Sequence, residues 1–278
     1  MLDWHTLFNT THHILMKRPY LGLWALLAVA FIAFAALSFN SEVADDLGLK
    51  TGTFEQTLTA QTVKNKKKAT TKLKTDLTKR NKQRTGVMDT TKKTILFIGD
   101  SMLEGLGPRL AAYAKENGHT LYYVIWYSST SEVWGRTTKL KEYIKQFKPN
   151  YVFICLGSNE LFVRDIQTSR QKYVDNIIAQ IGNLPYVWIG PPNWKPDTGI
   201  NEMIKNTAED GCYYNSYTPD QHYDRSRDGA HPTRASAAAW MDRVAKWVMT
   251  KSAYPIKLNK PKATKAKADK VIILQPAK

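Results

Sequence analysis

Three short stretches carry residue types able to do covalent chemistry. Gly99-Asp100-Ser101 follows an apolar run, Gly157-Ser158-Asn159-Glu160 follows another, and Asp228-Gly229-Ala230-His231-Pro232-Thr233 precedes a helical pattern. A serine hydroxyl is a poor nucleophile at neutral pH and needs a base beside it. His231 is the candidate base, taking the Ser101 proton and later passing it to a leaving alcohol. Asp228, three residues earlier, can turn back to hold the other ring nitrogen and fix the tautomer. Of the five other histidines, His5, His12 and His13 precede a long apolar stretch, His119 lies in an Asn-Gly-His turn, and His222 has Pro219 at that spacing. Ser101 alone reads more readily as a helix cap. With Asn159, Asp228 and His231 alongside, the nucleophile reading takes precedence, and Asp100 is left as a cap or loop-shaping acceptor.

These groups must be positioned by the elements around them. Apolar strand candidates are 94–98, 121–127, 151–156, 186–190 and a weaker 212–214; helix candidates are 103–117, 136–147, 168–182, 200–209 and 233–249. Strands that read as unbroken apolar runs are covered on both faces, as in a parallel sheet. The alternation predicts an α/β fold, a three-layer α/β/α sandwich around a five-stranded parallel sheet. In such sheets the chemistry gathers beyond the carboxyl ends of the strands, where Ser101 falls. Gly105-Leu106-Gly107 is too short for a dinucleotide-binding fingerprint.

Taken in order and spacing over residues 94–250, the three motifs resemble the SGNH (GDSL-type) hydrolase family. Its members carry Gly-Asp-Ser near the start, Gly-x-Asn-Asp mid-chain and Asp-x-x-His near the end. The resemblance implies a flavodoxin-like fold and a Ser101–His231–Asp228 triad. It also implies an oxyanion hole built from the Ser101 N–H, the Asn159 side-chain amide and a backbone N–H after the second strand. The family usually has glycine at that last place; here the chain reads Tyr-Ser-Ser-Thr-Ser-Glu, with Thr130 or Ser131 as the expected donor. Glu160 stands where the family usually has Asp, a tolerated structural change. Trp134 and Trp194, in loops after strands two and four, are candidates for a rim that stacks on a sugar ring, with aromatic loop packing as the alternative.

The rest of the chain gives the site its setting. Residues 19–39 form about twenty consecutive uncharged, mostly apolar positions, enough to span a hydrocarbon core roughly 30 Å thick. Lys17 and Arg18 before it, and Glu42, Asp45 and Asp46 after it, predict a single-pass transmembrane signal anchor. Residues 1–18 then lie in the cytoplasm and the catalytic domain on the periplasmic side of the inner membrane. A cleaved signal peptide is the rival reading, though its apolar region is normally shorter. Residues 40–93 read as a basic flexible stalk, 94–250 as the hydrolase domain and 251–278 as a basic disordered tail in which a short Val-Ile-Ile-Leu could extend the sheet edge.

The formal charge of +16 is concentrated outside the domain. Residues 60–93 hold twelve Lys/Arg against two Asp, and 251–278 hold eight Lys against one Asp. The remainder is close to neutral, which argues against a nucleic-acid groove. Two cysteines, Cys155 and Cys212, give no disulfide framework. No metal-spaced cluster is visible, and no cofactor is expected. The expected activity is a serine esterase removing small acyl groups, acetyl above all, from a carbohydrate or cell-envelope polymer. The alternative is O-acyl transfer through the same acyl-serine with a membrane-bound acyl-donor protein as partner. A catalytically inert glycan-binding module is the third reading.

Overall fold

A computed structural model describes residues 26–32 and 87–276. The chain divides into two compact units, Met1–Leu73 and Lys74–Lys278. In the first, residues 26–32 are helical with exposed side chains. The rest of the expected membrane span 19–39 lies outside the described residues, as do the expected cytoplasmic segment 1–18 and nearly all of the expected stalk 40–93. Among the described residues, no helix is long and apolar enough to cross a membrane.

The second unit alternates strand and helix: β1 (Thr94–Gly99), α1 (Leu103–Glu116), β2 (Thr120–Trp126), α2 (Ser131–Arg136), α3 (Lys139–Phe147) and β3 (Tyr151–Cys155). It continues with α4 (Ile166–Ile181), β4 (Tyr186–Ile189), α5 (Ile200–Thr207), β5 (Tyr213–Tyr214), α6 (Arg234–Lys251) and β6 (Lys270–Leu274). All pairings are parallel, in the order β5-β4-β3-β1-β2-β6. Strands β1, β3 and β4 are buried almost throughout because helices cover both faces: α1 packs with α6, while α4 packs with α2, α3 and α5. The chain leaves β1 for β2 on one side and returns to β3 on the other. That reversal opens a crevice above the carboxyl ends of β1 and β3. Register places Gly99 beside Cys155, so the segments after them start side by side.

Three expectations need correction. The sheet has six strands, not five. The predicted helix 136–147 is α3, which starts only at Lys139 because Thr137 is extended (φ −108°, ψ 166°), and a separate short helix, α2, precedes it. The tail 251–276 is ordered and belongs to the fold. Tyr254, Ile256 and Leu258 are buried on alternate positions, and Asp89 brackets them, its N–H donating to Pro255 O (2.8 Å) and its O accepting from Lys257 N–H (3.0 Å). The segment then runs along α1, where the Arg109 guanidinium donates to Ala263 O (2.5 Å) and Ala266 N–H to Pro108 O (2.9 Å). It ends as β6 against β2. His119 anchors this strap: Nδ1 accepts from Lys93 N–H (3.1 Å), which leaves Nε2–H to donate to Lys257 O (2.7 Å).

Candidate active site

Ser101 stands at the sharp turn from β1 into α1. Gly99 makes that turn possible, since a Cβ there would lie 2.3 Å from Cys155 O and 2.4 Å from Leu103 Cδ1. Asp100 shapes the turn from below, one carboxylate oxygen accepting from Met102 N–H (2.9 Å). Its other oxygen is buried without a hydrogen bond, and burial pushes the acid up to about 7. The Ser101 hydroxyl makes no cap bond to α1. It lies 2.7 Å from His231 Nε2 instead.

The histidine comes from a hairpin, residues 224–233, closed by Ser226 N–H to His231 O (2.8 Å) and Thr233 N–H to Asp224 O (2.8 Å). Gly229, with φ +69°, takes the left-handed corner. Asp228 folds back over its own loop. Its Oδ1 accepts from the N–H groups of Ala230 and His231 (2.9 Å each), and its Oδ2 lies 2.8 Å from His231 Nδ1. Those bonds, the His231 backbone N–H first, hold the carboxyl down at about 2. An ionised carboxylate only accepts, so Nδ1 carries the proton and Nε2 is left to accept from the serine hydroxyl. Arg225, a residue that sequence reasoning passed over, straps this hairpin to the loop after β4. Its guanidinium donates to Ala230 O (2.7 Å), Asn193 O (3.1 Å) and Pro192 O. The structure thus brings Ser101, His231 and Asp228 into one hydrogen-bonded line.

Asn159 lies in the segment after β3, and its Nδ2 donates one hydrogen to Ser129 O (3.0 Å). The second amide hydrogen remains for another acceptor. The Ser101 N–H has no acceptor among the described residues. Neither expected backbone donor after β2 meets these two. Ser131 N–H is consumed by Glu160 Oε2 (2.9 Å). Thr130 caps α2 through its hydroxyl, which accepts from Val133 N–H (3.3 Å). Its N–H belongs to the same trans peptide whose carbonyl faces Asn159, so it points the opposite way. One other N–H of residues 127–131 has no acceptor among the described residues, that of Ser128, because Tyr127 and Ser129 donate to Leu274 O and Trp126 O. Ser128 has φ +55°, a left-handed conformation in which glycine is the favoured residue. Ser128, two residues before the α2 cap, thus combines a left-handed backbone with an N–H that has no acceptor among the described residues.

The two rim tryptophans separate. Trp134 is fully buried against Trp126, with its indole N–H donating to Ser129 Oγ (3.0 Å), and is core rather than rim. Trp194 is partly exposed and anchored by its indole N–H to Ser158 O (3.1 Å). Phe162, which the sequence did not single out, stands against it edge-to-face at 5.5 Å and is 60% exposed. The Lys195 ammonium lies 4.4 Å from the Phe162 ring centre.

Comparison with solved structures returns proteins of ester and acyl chemistry. The chain is similar to a psychrotrophic esterase from Pseudoalteromonas sp. (17% identity, TM-score 0.42, covering 56% of this chain and 96% of that one). It is similar to a salicylyl-acyltransferase from a tetracycline biosynthetic pathway (14% identity, TM-score 0.41, 57% and 55% covered). It is also similar to a protein assigned to the lipolytic G-D-S-L family from Desulfitobacterium hafniense DCB-2 (12%, TM-score 0.38, 55% and 98%). No family model and no curated protein matches the sequence.

The remaining electrostatics are structural. Cys155 and Cys212 are buried thiols, and burial pushes the Cys155 thiol up. Among the described residues, no group of three or more His, Cys, Asp or Glu is arranged to hold a metal ion.

Proposed function

We propose that this chain is a serine esterase of the SGNH type that removes small acyl groups, acetyl above all, from a carbohydrate of the cell envelope. The observation that carries the reading is the line Ser101 Oγ–His231 Nε2–His231 Nδ1–Asp228, with bonds of 2.7 and 2.8 Å between residues 130 and three positions apart. Ser101 Oγ attacks the acyl carbonyl as its proton passes to His231 Nε2, and Asp228 stabilises the resulting imidazolium. The oxyanion is taken by the Ser101 N–H, the second Asn159 amide hydrogen and the Ser128 N–H. The imidazolium then protonates the departing alkoxide, and water resolves the acyl-serine by the same route in reverse. The N-terminus of α1 lies next to Ser101 and favours the developing negative charge.

Carbohydrate as the substrate class is supported by the exposed Phe162 face beside Trp194, three residues beyond Asn159. An aromatic face of this kind packs against the C–H face of a pyranose, and Lys195 adds a cation at its edge. A periplasmic site anchored through residues 19–39 belongs to the same proposal and rests on the charge bias of the sequence. Acyl transfer is the second reading, because the triad is open enough for a sugar hydroxyl as well as water to reach the acyl-serine. The His231 and Asp228 side chains are 38% and 51% exposed, which leaves room for a sugar hydroxyl in place of water.

The test is labelling by a phosphonylating serine-hydrolase probe followed by mass spectrometry. Modification is expected at Ser101 alone and is lost in His231→Ala; an unlabelled Ser101 in folded protein overturns the reading. Incubation with an aryl acetate, with and without an acceptor glycan, separates the two outcomes: acetate release marks hydrolysis, and net transfer exceeding release marks the acyltransferase.

A further inference from the structure

Glu160 is a fully buried acid placed directly beside Asn159, and the triad makes no use of it. Its two oxygens grip one residue of the neighbouring loop: Oε2 accepts from Ser131 N–H (2.9 Å) and Oε1 from the Ser131 hydroxyl (2.6 Å). The Arg170 guanidinium lies 3.3 Å from Oε1 and reaches on to Glu132 on α2 (3.0 Å). Burial raises the acid, while the Ser131 bonds and Arg170 oppose the rise. An acid held this deep costs free energy that a neutral residue would not, so the clamp it makes invites a role.

That role follows from the order of contacts along the loop. Asn159 holds Ser129 by its carbonyl, Glu160 holds Ser131 by its N–H and hydroxyl, and Trp134 holds the Ser129 hydroxyl. Two consecutive residues after β3 thus pin alternate residues after β2. Ser128, immediately before the pinned pair, takes its left-handed backbone inside the turn closed by Ser129 N–H to Trp126 O (3.1 Å), and the clamp holds the Ser129 end of that turn.

We propose that Glu160 is a positioning residue for the oxyanion hole: its carboxylate clamps Ser131 so that the loop 128–131 presents the Ser128 N–H beside the Asn159 amide. The inference rests on the esterase reading and goes beyond it by giving Glu160 a task and a required length. Aspartate, one methylene shorter, cannot span to both Ser131 groups from the same backbone position. Glutamine can: its carbonyl accepts from Ser131 N–H, and its amide donates to a Ser131 hydroxyl that has rotated to accept, giving up the contact with Arg170, which keeps Glu132.

The test is a set of Glu160 variants assayed on an aryl acetate, with kcat and KM resolved. Misplacing a donor rather than deleting it is expected to lower kcat by ~10–100-fold in Glu160→Ala and Glu160→Asp, with KM within about twofold. Glu160→Gln is expected to stay within about threefold of the parent, and Ser131→Ala, which loses only the hydroxyl half of the clamp, to fall by a few-fold. Backbone amide spectra of the phosphonylated protein give an independent readout. The Ser101 and Ser128 amides should both move downfield in the parent, and only Ser101 in Glu160→Ala. A parental kcat in Glu160→Ala, or an equal drop in Ala and Gln, overturns the clamp. A parent chain that neither labels nor turns over sinks the esterase reading itself, and the clamp's catalytic role with it.

Discussion

The hairpin that carries Asp228 and His231 and the loop that carries Ser128 to Ser131 serve one site, yet they are held in different ways. The hairpin closes largely on itself, with Arg225 alone reaching out to the loop after β4. Asp228 takes the N–H groups of Ala230 and His231, and Ser226 and Asp224 pair with His231 and Thr233, all within ten residues. The oxyanion loop is pinned from outside, by Asn159 and Glu160 some thirty positions away. Local hydrogen bonds follow from residue type and spacing, because the chain between the partners is too short to do much else. Distant ones depend on which strands end up adjacent, here β1 between β2 and β3.

Substitutions can break or sharpen this contrast. The largest effect is expected on the line through the hairpin: Ser101→Ala or His231→Ala should lower aryl acetate turnover by about 10⁴-fold or more. Thermal melts of the same proteins should stay close to the parent, because both side chains retain solvent contact. Activity above a few per cent in either variant would refute the triad assignment. Next comes Asn159→Ala, which removes a donor and also frees the Ser129 carbonyl. A loss of ~10²–10³ in kcat is expected with KM little changed. If the loop is pinned from outside, combining it with Glu160→Ala should cost less than the product of the two single effects, as for residues acting as a unit.

Two smaller effects are read from pH. Asp100 titrates near 3.8 when exposed and near 7 when buried beneath Ser101. Folded protein therefore binds a proton that the unfolded chain has released, and stability falls as pH rises through that window. Asp100→Asn should flatten the dependence of the thermal midpoint between roughly pH 4 and 7; a slope identical to the parent would assign it to other groups. The smallest effect concerns the C-terminal strap. Burial lowers His119 below its ordinary 6.5, so its contribution is present above that value and is lost as pH falls. Protonation of Nδ1 removes the acceptor of Lys93 N–H. Hydrogen exchange at Lys93, corrected for its intrinsic rate, should accelerate as acid protonates His119, at a pH below its ordinary 6.5, and an unchanged protection factor would place the anchor elsewhere.

The alternation of β-branched runs with helical patterns was enough to place β1 to β5 and most helix limits, because strands covered on both faces must be apolar along their length. The strap was misread for the opposite reason. Eight lysines mask a Tyr254-x-Ile256-x-Leu258 alternation that a period-2 search picks out, and burial of three side chains against the existing core outweighs the solvated charges around them. Trp134 looked like a rim residue because it follows a strand end. Its side chain turns inward because α2 starts at Ser131 and sets its own buried face.

By itself, the sequence determined the residues able to carry the chemistry: the Gly-Asp-Ser turn, the Asp-x-x-His hairpin and Asn159 after the third strand. Each depends on contacts a few residues long or on strand ends that apolar patterning marks. Only the tertiary structure decided which backbone N–H after β2 stays free, that Glu160 grips Ser131, and that Phe162 rather than Trp134 faces outward. Those outcomes turn on side-chain direction across neighbouring strands, and a difference of one residue in a loop reverses the direction in which a peptide points.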